Sequence, residues 1–283
     1  MARDTVGLTQ APRIAPVPSS LTQEARRSTA AAVSPPTTAN ALAAREQSHF
    51  DHAAELVPPE FQQGPMHLYP EPPIDLEAVK KEIDAAMTHR GTLAADGRPR
   101  VLSYDAARYF IFSKLDNRDG VVSCVYTGRD VRTHDIPDGR DMNTEHTWPQ
   151  SKGAKGAAKS DMHHLFPTDS EANSRRGSYP FGKVVGDPIW QNAGSKLGRD
   201  EHGHTVFEPR DVHKGNVARA LFYFSQMYNI EIPDDEERWL REWDKADPVD
   251  AAERVREAAI TEVQGVGNRF VTDPAAADSV QNF

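Results

Sequence analysis

Three side chains in the middle of the chain have the types that phosphodiester hydrolysis would need. Glu145 and His146 are adjacent in the polar stretch MNTEHTWPQS, and Asn173 follows in a later segment. The imidazole of His146 can accept a proton near neutral pH, because its unperturbed pKa is about 6.5. The carboxylate of Glu145 and the amide of Asn173 offer hard oxygen ligands, which suit Mg²⁺ better than Zn²⁺. Such a set could activate water and hold a metal ion at a scissile phosphate.

Glu145 and His146 raise a geometric problem, since adjacent residues of a regular strand point to opposite faces. We predict that the strand carrying them ends or bulges there, so that both side chains flank one phosphate. His146 and Asn173 should then lie on facing elements, with Glu145 close to Asn173. The expected metal is one Mg²⁺ ion, which keeps several waters and needs few protein ligands, and Mn²⁺ or Ca²⁺ could substitute for it in binding.

Other polar side chains near this set could assist it. Arg175 and Arg176 follow the asparagine closely, and either guanidinium could clamp a phosphate or be plain surface charge. Asp161 and His163 are predicted to orient neighbouring groups. His164 fits equally well as a supporting residue or as a packed, hydrogen-bonded core histidine.

A zinc site fits the sequence less well than a magnesium site. His163 and His164 are adjacent, so a regular strand would not bring both to one metal. The chain has no HExxH and no CxxC pattern, which are common spacings of zinc ligands. The HGH segment at 202–204 is predicted to be a surface loop.

The composition indicates a folded part joined to a polar tail. Of 283 residues, 38% are hydrophobic, and the mean hydropathy of -0.65 is low for a chain that folds from end to end. Residues 1–64, rich in Ala, Pro, Ser and Thr, are predicted to be a disordered tail. Residues 65–273 are the predicted folded domain, and residues 274–283 a loose end. Cys124, in an apolar run, is predicted to be a buried small side chain.

Charge and hydropathy limit which partners and which cellular locations are compatible with the sequence. No apolar run is long enough to span a bilayer, and the N-terminal stretch lacks the apolar core of a Sec signal peptide. Location therefore stays open between non-Sec export and the cytoplasm. The net charge of -9 argues against a polyanionic partner. The charge is uneven, however: residues 140–219 carry twelve Lys and Arg against ten Asp and Glu, and residues 231–283 carry six against fourteen. A local basic groove is compatible with this distribution.

Hydrophobic periodicity and capping signals predict an α+β domain, mostly helical around a small sheet. Asp75 and Ser103 are the predicted N-caps of the first two helices. Thr168 and Glu171 are predicted to form a capping box that starts a short helix and completes a ββα unit. The predicted helices cover about 76–90, 103–116, 169–176, 214–229, 234–247 and 248–264. The predicted strands are 121–127, the stretch that holds Glu145 and His146, MHHLF (162–166) and HTVFEPR (204–210), and GVGNRF (265–270) is a predicted loop.

Four ordered blocks of the sequence resemble the bacterial endonuclease I family. They are NTEHTWPQS, SDMHHLFPTDSEANSRRGSYPFG, FEPRDVHKGNVARALFYFSQMYNI and WDKADPVDAAERVREAAITEVQGVGNRFV. Their order and spacing agree with the family from about residue 65 to 273, which is far more specific than a single motif. The resemblance leaves the N-terminal tail unexplained.

The resemblance implies a ββα-metal site, also called a His-Me finger. His146 would be the general base, and Glu145 and Asn173 would bind Mg²⁺. It also implies cleavage of DNA, and often of RNA, with little sequence preference and with 5′-phosphate ends. In this family an arginine acts near the scissile phosphate. The candidates for that arginine are Arg175, Arg176 and Arg210.

Three features depart from the family pattern. Many members carry a secretion signal, and some secreted members are held by disulfides; this chain shows no Sec signal and has a single cysteine. Asn268 is followed by Arg269, where the family usually has proline, and this change concerns a loop. The first two departures leave the location open.

The expected partner is nucleic acid, and a monomer without membrane contact is expected. Two other functions remain open at this point. One is a nuclease restricted to RNA. The other is a binding module that holds nucleic acid without cutting it, against which the intact Glu145, His146 and Asn173 argue.

Overall fold

The structure, a computed structural model, describes residues 73–94 and 98–283. The predicted disordered tail, residues 1–64, lies outside the described residues, as do the first residues of the predicted domain. Within the described ranges, helices and short antiparallel strands follow one another along the chain, in agreement with the α+β prediction.

The helices form where the sequence carries caps and apolar spacing. They are α1 Leu76–Thr88, α2 Tyr104–Phe110, α3 Ser170–Arg176, α4 Lys214–Tyr228, α5 Asp234–Ala246, α6 Ala251–Gln264 and α7 Arg269–Thr272. Asp75 caps α1 by accepting from two backbone N–H groups, and Ser103 caps α2, as predicted. No helix in the described part of the chain has the length and apolar composition needed to cross a bilayer.

Two segments differ from the prediction in the kind of structure that they form. The predicted helix 103–116 becomes a π-helical turn, Ile111–Leu115, after α2. The predicted loop 265–270 contains the start of α7. Asn268, predicted as a loop residue, instead caps α7 by accepting from the N–H of Phe270.

Short strands form three small antiparallel sheets in the described residues. They are β1 Asn117–Arg118, β2 Val121–Ser123, β3 Asp130–Arg132, β4 Met142–His146, β5 Leu165–Asp169, β6 Val185–Asn192, β7 Ser195–Arg199 and β8 Thr205–Glu208. β1, β2 and β3 form one sheet, β4 and β5 a two-stranded ribbon, and β6, β7 and β8 another sheet. The sequence predicted β8 but missed β1, β3, β6 and β7.

The predicted strand 121–127 is shorter in the structure because the chain turns directly after Ser123. The N–H of Gly128 donates to the carbonyl of Cys124 at 2.8 Å, and Gly128 has φ of +72°, a conformation that favours glycine. Cys124 is fully buried, as predicted. The turn carries Tyr126 into the interior, where the candidate site begins.

Helix α4 runs through the core and carries one buried charge. Phe222 and Phe224 are fully buried, and Trp148 stacks on Phe224 at 4.8 Å between ring centroids. The guanidinium of Arg219 donates to Glu253 at 2.6 Å and to Asp244 at 2.8 Å. These ion pairs join α4 to α5 and α6, and they satisfy a cation that would otherwise be costly to bury.

The final residues of the chain are packed against the helices. Phe283 is 6% exposed and stacks on Phe222 of α4 at 4.0 Å between ring centroids. Its carbonyl accepts the N–H of Ile232 at 2.9 Å. This arrangement differs from the loose end predicted for residues 274–283, because a terminal aromatic side chain has apolar surface to bury between α4 and α7.

Candidate active site

The predicted base and metal ligands, His146, Glu145 and Asn173, lie on β4 and α3, which form a ββα unit with β5. β4 pairs antiparallel with β5, with Glu145 opposite Phe166 and His146 opposite Leu165. The register is regular, and β4 ends at His146, so the strand ends there rather than bulging. The connection between the strands contains three 3₁₀ helices. They are Gln150–Lys152, Gly156–Ser160 and Met162–His164.

The predicted strand MHHLF was wrong over its first three residues. Met162–His164 form a 3₁₀ helix, and β5 begins at Leu165. The carboxylate of Asp161 accepts the N–H of His163 at 3.0 Å. This local hydrogen bond offers the backbone an alternative to the strand and holds the turn.

The predicted capping box at the start of α3 was also wrong. Thr168 lies in β5, and the N-cap is Asp169, which makes no side-chain cap hydrogen bond. The Asp169 carboxylate instead binds the side chains of Thr127 and Arg129. Tertiary partners therefore replace the local cap. The end of α3 at Gly177 agrees with the prediction.

Glu145 is 1% exposed and lies between groups from two other elements. The hydroxyl of Tyr126 donates to Oε1 at 2.9 Å, and Nε of Arg176 lies 3.0 Å from the same oxygen. Both contacts fall on Oε1 and neither on Oε2. Burial raises the pKa of Glu145, whereas the charge of Arg176 and the Tyr126 hydrogen bond oppose that rise.

The orientation of the Asn173 amide follows from its hydrogen bonds. Its Nδ2 donates to Oδ1 of Asn143 at 2.6 Å and to the carbonyl of Thr144 at 3.5 Å. The Asn143 amide is oriented in turn, because its own Nδ2 donates to Oγ of Ser170 at 3.3 Å. Since both partners of Asn173 are acceptors, its nitrogen must face them, and its oxygen takes part in neither contact.

Glu145 and Asn173 are the residues that could offer oxygen ligands to a hard divalent cation. Asn173 contacts the carbonyl of Thr144, the residue before Glu145, so the two candidate ligands lie on adjoining parts of α3 and β4. One carboxylate and one amide leave most of the coordination to water, which Mg²⁺ accepts. Among the described residues, no group of three or more His, Cys, Asp and Glu side chains is arranged to hold a metal.

His146 has one ring nitrogen engaged by the backbone. Its Nε2 lies 3.0 Å from the carbonyl of Lys159, an acceptor, so Nε2 carries the hydrogen and Nδ1 keeps its lone pair. Nδ1 lies 3.4 Å from the amide nitrogen of Gln150. Burial, and then the neighbouring His164, lower the pKa of His146 to about 3. The ring is therefore neutral at neutral pH, with Nδ1 able to accept a proton.

The three supporting residues belong to a buried hydrogen-bonded network. Asp161 is fully buried and accepts from the side chains of Tyr223, Tyr228 and Gln264, at 2.8–3.0 Å. Nε2 of His163 lies 2.8 Å from a backbone carbonyl, and so does Nε2 of His164. The network joins the 3₁₀ segment before β5 to α4 and α6. Of the three, His164 touches the site directly, because its ring centroid lies 5.6 Å from that of His146.

The three candidate arginines lie in different environments. Arg176 is buried, pairs with Glu145 and donates to the carbonyl of Thr147 at 2.6 Å. Arg175 is 17% exposed and lies 3.8 Å from Glu171, one turn earlier on α3. Arg210 donates from Nε to the carbonyl of Val125 at 2.9 Å. The structure therefore brings Arg176 to the site, and the described contacts of the other two lie elsewhere.

Two further residues contact the predicted base and metal ligand, and neither was predicted from the sequence. Tyr126 lies in an apolar run whose pattern indicates only burial, although its hydroxyl binds Glu145. Lys159 lies in KGAKGAAK, which has the composition of a solvated loop, although its carbonyl binds His146. Both contacts depend on how distant segments meet, and no local pattern marks them.

Because burial lowers the pKa of histidines in the core, we expect the protein to lose stability in mild acid. His213 packs between Tyr126 and Phe166, and burial, followed by the charge of Arg210, lowers its pKa to about 3. In an unfolded chain the histidine has a pKa of about 6.5 and takes up a proton as the pH falls below that value. In the folded chain His213 takes up this proton only near pH 3. Stability is therefore lost as the pH falls through this window. We expect the His213 contribution to the loss to be about 2 kcal/mol at about pH 5.

Urea unfolding at about pH 7.5 and at about pH 5 tests this expectation. The His213→Phe variant removes the titrating group and keeps an aromatic ring, so its free energy of unfolding should fall about 2 kcal/mol less between the two pH values. An equal fall in both proteins would contradict the assignment.

Comparison with known proteins identifies the family. The sequence profile of the family described as Endonuclease I matches residues 96–275, more than half of the chain. The chain is 34% identical over 164 residues to an extracellular ribonuclease of Bacillus subtilis, covering 50% of this chain and 54% of that protein. It is 31% identical over 130 residues to an extracellular deoxyribonuclease of Aeromonas hydrophila, covering 43% and 56%.

A periplasmic deoxyribonuclease of Aeromonas hydrophila is 30% identical over 130 residues, covering 43% of this chain and 54% of the relative. The matched part spans about half the length of these curated relatives. The matched segment of the family profile contains all of β4, β5 and α3, with the candidate residues that they carry. The chain belongs to the endonuclease I family.

Proposed function

We propose that the protein is a Mg²⁺-dependent endonuclease with little sequence preference, which hydrolyses phosphodiester bonds of DNA and RNA and leaves 5′-phosphate ends. The observation that carries the proposal is the state of His146, a neutral imidazole with Nε2 bound to a carbonyl and Nδ1 left as an acceptor. It lies next to Glu145 on β4, and Asn173 of α3 contacts the same strand. We interpret this ββα unit as a His-Me finger.

In the proposed reaction, Nδ1 of His146 takes a proton from the attacking water. The carbonyl of Lys159 holds the opposite side of the ring and favours the tautomer in which Nδ1 is the base. Oε2 of Glu145 and Oδ1 of Asn173 would hold the metal ion. When bound, Mg²⁺ would supply positive charge beside the scissile phosphate.

In this proposal Tyr126 and Arg176 orient Glu145, the proposed metal ligand. Both engage Oε1 of Glu145, so the carboxylate is held in one orientation. A ligand whose position is already set loses less conformational entropy when the metal binds. A bound phosphodiester would bring negative charge near His146 and raise its pKa toward the range in which it accepts a proton readily.

Metal-dependent cleavage is the direct test of the proposal. We expect the full chain to degrade supercoiled plasmid DNA and single-stranded RNA in Mg²⁺, and EDTA to stop both reactions. End-labelling before and after phosphatase treatment should show 5′-phosphate ends. Intact substrates in Mg²⁺, or equal cleavage in EDTA, would contradict the proposed function.

A nuclease restricted to RNA is the second candidate. It is favoured by the extracellular ribonucleases of Bacillus subtilis and Bacillus amyloliquefaciens, both 34% identical over 164 residues. The deoxyribonucleases of Aeromonas hydrophila favour the broader activity. Relative rates on single-stranded RNA and on duplex DNA separate the two. Salt-dependent binding without cleavage would instead indicate a binding module.

The relatives also bear on location. Those named above are described as extracellular or periplasmic. We propose on this basis that the protein acts outside the cytoplasm. Fractionation of the producing cells, followed by detection of the protein in each fraction, tests this.

A further inference from the structure

We infer that the side chain of Lys159 contacts a phosphate of the bound nucleic acid beside His146, an inference that rests on the proposed nuclease function. The ammonium of Lys159 lies 4.3 Å from the centroid of the Tyr104 ring. That ring in turn stacks on His146, at 5.4 Å between centroids and 29° between planes. The three side chains therefore form one cluster at the end of β4.

The segment that carries Lys159 also orients the ring of His146, the proposed base. Lys159 belongs to the 3₁₀ helix Gly156–Ser160, in the connection between β4 and β5. Its carbonyl accepts from Nε2 of His146 at 3.0 Å. This hydrogen bond holds the backbone of Lys159 beside the ring, and the contact with Tyr104 places its ammonium.

The surroundings of the Lys159 ammonium also support this placement. Within the described residues, Lys159 forms no ion pair with a carboxylate, and its side chain is half-buried. A cation held over an aromatic ring without an acidic partner is suited to an anionic ligand.

The candidate arginines are less available than this lysine. The guanidinium of Arg176 is 2% exposed and pairs with Glu145, so it cannot reach a phosphate in solvent without leaving that carboxylate. Arg175 pairs with Glu171 on its own helix, and Arg210 is bound to a backbone carbonyl. Lys159, by contrast, is joined to His146 twice. Its carbonyl binds the His146 ring, and its ammonium lies over the Tyr104 ring that stacks on His146.

The test compares Lys159→Met with Lys155→Met, which removes a lysine from an exposed position of the same connection. Methionine keeps the unbranched stem and removes the charge. For Lys159→Met we expect kcat/KM on plasmid DNA to fall about tenfold to a hundredfold. The slope of log binding constant against log salt, measured on duplex DNA in EDTA, should flatten by about 0.9. Lys159→Arg should retain most of the activity, because it restores the cation.

The outcomes separate this inference from the proposed function. Unchanged kcat/KM and an unchanged salt slope for Lys159→Met, or equal losses for Lys155→Met, would overturn the role of Lys159 while wild-type cleavage stands. If the wild type does not cleave, the proposed function fails, and the salt slope alone decides whether Lys159 binds phosphate. Thermal melting of each variant separates a lost contact from a lost fold.

Discussion

The His146→Ala variant is expected to cleave plasmid DNA with a kcat/KM about 10² to 10⁴ times lower than that of the wild type. This is the range that a positioned general base contributes. The expectation follows from the tautomer imposed by the carbonyl of Lys159, which leaves Nδ1 as the proton acceptor. His163 and His164 also have Nε2 at a backbone carbonyl, but His146 is the histidine that follows Glu145 on β4.

The measurement needs a control in which a histidine outside the site is removed, together with a check of the fold. His204→Ala removes a histidine whose side chain is 69% exposed, and it should leave the rate within about twofold. Melting curves of both variants show whether the fold persists. A His146→Ala protein that is folded and cuts as fast as His204→Ala would remove His146 from the mechanism. Partial recovery of cleavage on addition of imidazole would support the assigned role.

The Arg176→Met variant is expected to lose about 3–5 kcal/mol of unfolding free energy. The guanidinium of Arg176 and the carboxylate of Glu145 are 2% and 1% exposed, with 3.0 Å between Nε and Oε1. Removal of one partner leaves the other as a buried charge without its counter-ion, and protonation of Glu145 would relieve this only at a cost in free energy. Arg176 also packs over the ring of Phe181, at 4.5 Å from its centroid. Urea unfolding at neutral pH measures the change.

A neighbouring arginine provides the matched control. Arg175→Met breaks a partly exposed pair on the surface of α3 and should cost less than about 1 kcal/mol. The double variant Arg176→Met with Glu145→Gln removes both charges, so it should be more stable than Arg176→Met alone. A single Arg176→Met variant as stable as Arg175→Met would show that the buried pair contributes little.

The side chains of Glu145 and His146 occupy separate environments, although the residues are adjacent. Glu145 faces Tyr126 and Arg176, whereas His146 faces Tyr104 and the 3₁₀ connection. This is the alternation that a regular strand requires. The proposed site therefore needs no distortion of β4. The end of β4 at His146 is sufficient for the proposed site, because the proposed metal ligand and the proposed base can act on different sides of one phosphate.

Local patterns in the sequence were sufficient for most of the helices. Asp75 and Ser103 cap α1 and α2 where the sequence placed them, and α4 and α5 lie within a residue or two of their predicted bounds. These predictions succeed because a cap and an apolar period act over a few residues. The strands were harder, because β6 and β7 are stabilised by pairing with each other and with β8 rather than by their own composition.

The errors near the site have a common physical origin. Asp169, rather than the predicted Thr168, is the N-cap of α3, and its carboxylate binds Arg129 from another segment; Asp161 holds a 3₁₀ helix where a strand was expected. In both cases a carboxylate had several possible partners within reach. The sequence shows that such a group is present, but not which donor the fold brings closest.

The sequence by itself determined the family, the helical character of the domain and the candidate residues Glu145, His146 and Asn173, because these depend on residue type and order. Only the tertiary structure decided their partners. The burial of Glu145 against Tyr126 and Arg176, the orientation of the Asn173 amide and the carbonyl behind His146 all join segments that are distant in the chain. Hydrogen-bond and ion-pair geometry depends on distances of a few ångströms between such segments, and no local sequence pattern encodes those distances.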